Sequence, residues 1–163
     1  MKKRVLTFVC IISSLAVFAA CKSQHAAQKR DPLLEAYGVE KDWNNPDRLI
    51  PLNYQQAQGK RIFYEKCVWC HSDTSPAGPS NRMNVQPTPP LINDGKIFNS
   101  LSDEYLENVI TLGGAAMGKS AIMPAWGRTL SQDDIKALVV YIRAVAEPPY
   151  QRPAQPGPKY SAR

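Results

Sequence analysis

Cys67-Val68-Trp69-Cys70-His71 is the stretch on which the reading of this chain turns. Two thiols three residues apart share one turn, and an imidazole follows at once. Three chemistries use such a spacing. A thioredoxin-like redox pair would follow a strand in a βαβ pattern, whereas the residues before it, YQQAQGKRIFY at 54–64, have helical character and no β-branched run. A structural zinc site needs four ligands, and the second histidine, His25, stands outside this region. Covalent haem attachment fits best. Each thiol can add to a porphyrin vinyl group, and the next residue then lies under the ring, where its Nε2 reaches the iron.

The start of the chain supports export, the compartment in which such haems are fitted. Met1 to Arg4 carry three positive charges, and Val5 to Ala20 are apolar apart from Thr7, Ser13 and Ser14. The run Phe18-Ala19-Ala20-Cys21, followed by polar residues, resembles a bacterial lipoprotein signal, although Phe18 stands where Leu is usual. That resemblance implies a cleaved leader over 1–20 and a lipid-bearing Cys21. An ordinary signal cut after Ala20, or an uncleaved anchor, is the alternative. Of the four cysteines, Cys10 then leaves with the leader and Cys21 holds lipid. Cys67 and Cys70 remain, and no structural disulfide is expected.

An iron that carries electrons needs two strong axial ligands. His71 supplies one, and the candidates for the other are Met83, Met117 and Met123. Met83 follows His71 by only twelve residues and has little chain with which to cross a ring. Met117 sits in a flexible run, Gly113-Gly114-Ala115-Ala116-Met117-Gly118. Met123 precedes Pro124, which pushes it out of helical geometry into an extended loop ahead of a helix. Met123 is favoured. A soft thioether stabilises ferrous iron, so the pair implies a raised reduction potential.

From here the chain resembles the class I c-type cytochromes, particularly the mono-haem modules of bacterial respiratory oxidases and dehydrogenases. Five elements recur in order: Gly59 and Phe63 before the haem motif, Pro90-Leu91, a segment from Leu101 to Gly113, Met123-Pro-Ala-Trp-Gly127, and a final helix from Leu130. The likeness covers about residues 54–146, with Ser72 where the family commonly has Gly. It implies an all-α fold of three to five helices around one covalent haem c, in which the last helix crosses the first at Gly59 and Phe63 meets Tyr141. It also implies a proline carbonyl that accepts from the axial histidine. Pro90 is the candidate for that carbonyl and Pro79 its rival. Trp126 packs on the haem and points at a propionate, or is a plain core aromatic. Asn81 and Arg82 read as solvated loop residues, with a propionate contact as the alternative.

Periodicity agrees with helices. Ser131 and Asp134 form a capping-box pattern ahead of Ile135, Leu138, Val139, Ile142 and Val145, all on one face, with Tyr141 beside it. Ser102-Asp-Glu opens a helix in which Tyr105, Leu106, Val109, Ile110 and Leu112 are expected to face inward. No segment alternates as a strand.

Residues 21–53 read as a lipid-anchored tether. Leu33, Leu34, Tyr37, Trp43, Leu49, Ile50 and Leu52 are nevertheless too apolar for a freely solvated linker, so part of it should pack on the domain or a partner. Residues 147–163 are proline-rich and read as an extended or disordered tail, surplus to the domain, with docking on a partner as the alternative.

With both axial positions filled, the expected function is single-electron transfer rather than enzyme catalysis. The protein would be a carrier or a haem subunit of an envelope respiratory or dehydrogenase complex, lipid-anchored with its domain in the periplasm, and its partners a redox donor and acceptor. A peroxidase-like or gas-binding haem enzyme would need a displaceable sixth ligand, and a structural subunit is the third possibility. The formal charge of +6 invites a nucleic-acid reading. Three of those charges sit in the leader, and residues 54–146 hold nine basic against eight acidic residues, so that reading loses its support. Docking through the haem edge is then expected to depend only modestly on salt. Stopped-flow electron transfer across ionic strength checks this, and a steep loss of rate would refute it.

Overall fold

The computed structural model describes residues 31–152. The leader, Cys21 and the end of the tail lie outside the described residues. Helix α1 (Pro32–Tyr37) leads into an antiparallel pair, β1 (Val39–Lys41) and β2 (Leu49–Pro51), with Glu40 opposite Ile50. Next come α2 (Tyr54–Ile62), a π-helical turn (Phe63–Cys67) and α3 (Val68–His71), consecutive in the chain. A second short pair, β3 (Thr74–Ser75) and β4 (Gly78–Pro79), precedes α4 (Gly95–Phe98), α5 (Asp103–Leu112) and α6 (Gln132–Val145). Helices dominate, as the periodicity predicts. The two ladders are not foreshadowed in the sequence, because pairs of two or three residues are too short to show alternation.

Each long helix is opened by its sequence. Asn53 and Gln56 exchange side-chain and backbone bonds at the start of α2, and Ser131 and Asp134 do the same for α6. Hydrogen bonds from Ser131 and then Gln58 hold the Asp134 carboxyl below the usual carboxylate range. Ser102 caps α5 by accepting from the Tyr105 amide, so that helix begins at Asp103 rather than Leu101. Leu112 departs from expectation: it is 51% exposed. The buried stripe of α5 runs through Leu106 and Ile110, and a residue two beyond Ile110 lies about 200° further round the helix.

The core forms where α2 crosses α6. A methyl group at Gly59 would run into the Ala137 carbonyl oxygen and come within 2.7 Å of Tyr141 Cβ, so only glycine lets these backbones approach. Phe63 is fully buried one turn on, its ring 5.6 Å from Tyr141 and 6.1 Å from Trp43. Ile135, Leu138 and Ile142 of α6 pack into the same cluster as Ile62 and Leu106.

The segment before α2 is part of this packing. Leu52 is buried in the core cluster, with Trp43 and Ile50 against it. Glu40 is 3% exposed and accepts from Tyr141 Oη at 2.8 Å and Tyr64 Oη at 3.3 Å, while Lys60 Nζ lies 3.3 Å away. A carboxylate buried this deeply needs such partners. Burial, followed by the charge of Glu40, pushes both phenols above their ordinary range. At the other end the chain does not leave the domain at Ala146. The Glu147 amide donates to Asn93 at 2.8 Å and the Gly95 amide donates to Glu147 at 3.0 Å.

Gly59→Ala is expected to destabilise the fold by about 1–3 kcal/mol through overpacking, read as a lowered urea midpoint. Because the folded protein holds Tyr64 and Tyr141 protonated, the stability they lend is full below about pH 10 and drains away above it. For buried Tyr141 the slope is about 1.4 kcal/mol per pH unit. Denaturation between pH 8 and 11 should show this alkaline loss, and Tyr141→Phe should make it shallower.

Candidate cofactor site

The wide turn at Phe63–Cys67 is the local device that creates the site. The Val68 amide donates back to Phe63, five residues earlier, which inserts one residue into the helical repeat. An added residue rotates the downstream helix by about 100° relative to a continuous α-helix. Phe63 stays against α6, while Cys67, Cys70 and His71 turn to the lining of an apolar cavity of about 480 Å³. That volume falls within the ordinary range for small-molecule and cofactor sites.

The cavity gathers the residues that the sequence singled out. Cys67, Cys70, His71, Pro90, Met123 and Trp126 all line it. Met83 and Met117 do not, and Met83 is 70% exposed. Pro79 lies in β4 and is likewise absent from the lining. Cys21 lies outside the described residues.

His71 is held on both sides of its own residue. Its carbonyl accepts from the Ile92 amide at 2.9 Å, and its Nδ1 stands 2.9 Å from the Pro90 carbonyl oxygen. A carbonyl only accepts, so Nδ1 carries the proton and Nε2 keeps its lone pair. Burial, together with the Arg82 guanidinium, lowers the histidine's pKa and keeps the ring neutral, against the opposing bond to Pro90. Cys67 and Cys70 are not joined in a disulfide. Burial pushes Cys67 up to about 12 and raises Cys70 as well, so both stay protonated near neutral pH.

Met123 arrives on a loop built for close approach. Gly113, at φ +80°, ends α5. A side chain there would meet the Ala125 amide at 2.8 Å and the Met123 carbonyl at 3.0 Å. The Gly114 amide then donates to the Met123 carbonyl at 3.0 Å, and Met123 itself donates to Ser120 at 3.2 Å. Trp126 follows in a single 3₁₀ turn, Trp126–Arg128.

Arg82 corrects the sequence reading. Rather than standing free in solvent, it lines the cavity, donates from Nε to the Pro89 carbonyl at 2.8 Å, and pairs through Nη1 with Asp73 at 3.1 Å. Tertiary folding brings Asp73 and Pro89 to it, and local spacing carries no sign of that. Val85, Ile97 and Phe98 also join the lining without a sequence signal, since they belong to elements too short for a periodic pattern.

Among the described residues no three His, Cys, Asp or Glu side chains cluster as a bare metal ion would require. Two protonated thiols, a neutral imidazole with a free Nε2 and a thioether around one apolar cavity instead suit an iron carried in a macrocycle.

This helical frame and donor set define a class I cytochrome c domain, which implies haem c. A family model described as cytochrome C oxidase, cbb3-type, subunit III matches residues 55–142, more than half of the chain, and the chain belongs to that family. It is 33% identical over 94 residues to the Cbb3-type cytochrome c oxidase subunit FixP of Bradyrhizobium diazoefficiens, covering 56% of this chain and 28% of that one. With the Cbb3-type cytochrome c oxidase subunit CcoP of an Azospirillum species it shares 29% identity over 86 residues, covering 53% and 27%. The similarity thus spans little more than a quarter of those relatives' length.

Proposed function

We propose that this protein is a single-electron carrier with one haem c, bound covalently through Cys67 and Cys70 and ligated by His71 and Met123. It acts as a carrier or as the haem subunit of an envelope respiratory or dehydrogenase complex. The observation that carries this reading is the 2.9 Å contact between His71 Nδ1 and the Pro90 carbonyl, on a histidine that shares its cavity with Met123. When bound, the haem supplies a reversible ferrous–ferric couple.

The chain's own residues do the rest. The Pro90 carbonyl fixes the imidazole tautomer and strengthens its donation. Cys67 and Cys70 would supply the two reduced thiols through which the haem is held. The Gly113–Met123 loop brings a thioether to the cavity that His71 lines, so the protein would supply both ligands to the iron. Apolar walls limit water and with it the reorganisation that accompanies a change of charge. Trp126 contributes to that exclusion.

The same reading places the protein on the periplasmic side of a bacterial membrane, held by lipid on Cys21. It is supported by the leader sequence and is consistent with the finding that no helix among the described residues is long and apolar enough to cross a membrane. The docking partners on this reading are a redox donor and a redox acceptor.

Met123→Ala is expected to lower the reduction potential and to abolish the six-coordinate low-spin spectrum while haem stays covalently attached on a denaturing gel. An unchanged potential and spectrum would remove Met123 as a ligand, and rapid peroxide turnover by the wild type would favour an enzyme. Cys21→Ser should move the protein from the membrane fraction to the soluble periplasmic fraction, and radiolabelled palmitate should no longer be incorporated.

A further inference from the structure

The family match ends at residue 142, and the chain beyond it makes a further set of polar contacts with the domain. Arg143, with a side chain only 8% exposed, donates from Nη1 to the Phe98 carbonyl at 2.6 Å and from Nη2 to the Leu101 carbonyl at 2.7 Å. It also donates from Nε to Asp103 at 2.9 Å. The Tyr150 ring covers the same guanidinium at 4.1 Å. Between them the chain runs along α4. Asp94 and Glu147 form a parallel bridge, and Asn99 Nδ2 donates to the Pro148 carbonyl at 2.8 Å. A side chain at Gly95 would strike the Pro148 oxygen and come within 2.7 Å of the Glu147 carbonyl carbon, so the fit is backbone against backbone.

What this contact holds is one wall of the cofactor cavity. Ile97, Phe98 and Leu101 line it, and their segment is only a one-turn helix with a short connection. A helix of four residues has almost no stability of its own. Its position therefore has to be imposed from behind.

We propose that Glu147–Tyr150, fastened by Arg143, is a clasp that positions the Asp94–Leu101 wall against the haem and so sets how much water reaches it. Arg143 is a positioning residue, acting through the Phe98 and Leu101 carbonyls. The proposal rests on the cavity being the haem site, as above. Opening the wall admits water, which favours the more highly charged oxidised state and lowers the potential.

Gly95→Ala in the full-length holoprotein wedges the clasp away without altering a side chain that lines the cavity. Tyr150→Ala unfastens its end and covers the possibility that the first variant does not fold. In either, amide exchange over residues 95–101 should quicken by about tenfold. The reduced-to-oxidised ratio at a fixed solution potential should fall, a tenfold fall corresponding to about 59 mV. Exchange and potential both at wild-type values in a folded variant would overturn the clasp, as would faster exchange with an unmoved potential. The exchange readout is on the backbone, so its failure counts against the clasp whatever ligates the iron. A wild-type holoprotein lacking the low-spin His/Met spectrum would instead count against the ligand assignment.

Discussion

The approach of α2 to α6 at Gly59 is the constraint on which the rest of the domain depends. Where Ala137 and Tyr141 stand against a residue with no Cβ, α2 and α6 lock at one depth and one rotation. Phe63 then meets Tyr141, and the polypeptide beyond Phe63 leaves the contact in a defined direction. Everything that makes the site useful is downstream of that crossing. Volume at position 59 would push the helices apart and, through the continuous run from α2 to α3, would move Cys67, Cys70 and His71 with them.

The π-turn converts this packing into chemistry. A helix that buries Phe63 on one face cannot, at 3.6 residues per turn, also aim Cys67 and Cys70 at a cavity on another without a change of phase. The wide turn supplies that change where it is needed, and the Pro90 carbonyl fixes the last side chain of the series. Electrostatics run in the same direction. Burial keeps the imidazole neutral and the thiols protonated, with Arg82 as the nearby cation.

The flanks carry more of the fold than their composition suggests. Glu40 reaches from the leading segment into a pocket of two phenols and an ammonium, while Arg143 and Tyr150 close the trailing segment over α4. Neither lies within residues 55–142, where the family likeness resides. A domain of this size buries a modest fraction of its surface, so packed extensions are one way to complete it.

Much of the site was legible in sequence because its signals are local: Cys67, Cys70 and His71 within one turn, Met123 before Pro124, Ser131 paired with Asp134. Such patterns depend on spacing along the chain and on the intrinsic geometry of proline and helix caps, which no tertiary context has to supply. The resemblance added the order of elements, including Pro90. Beyond reach lay contacts between residues distant in sequence and on elements too short to show a period. Arg82 looked like a solvated loop residue because Pro89 is brought to it only by folding. Leu112 looked buried because it is apolar, yet it lies on the outward side of α5. The tail looked like surplus because proline-rich composition says nothing about a surface that happens to fit four of its residues. The sequence by itself therefore determined the helical class, the attachment motif and the ligand candidates. Tertiary structure decided which of them share a cavity and how the flanks enclose it, since burial and shape are properties of the assembled surfaces rather than of any stretch of chain.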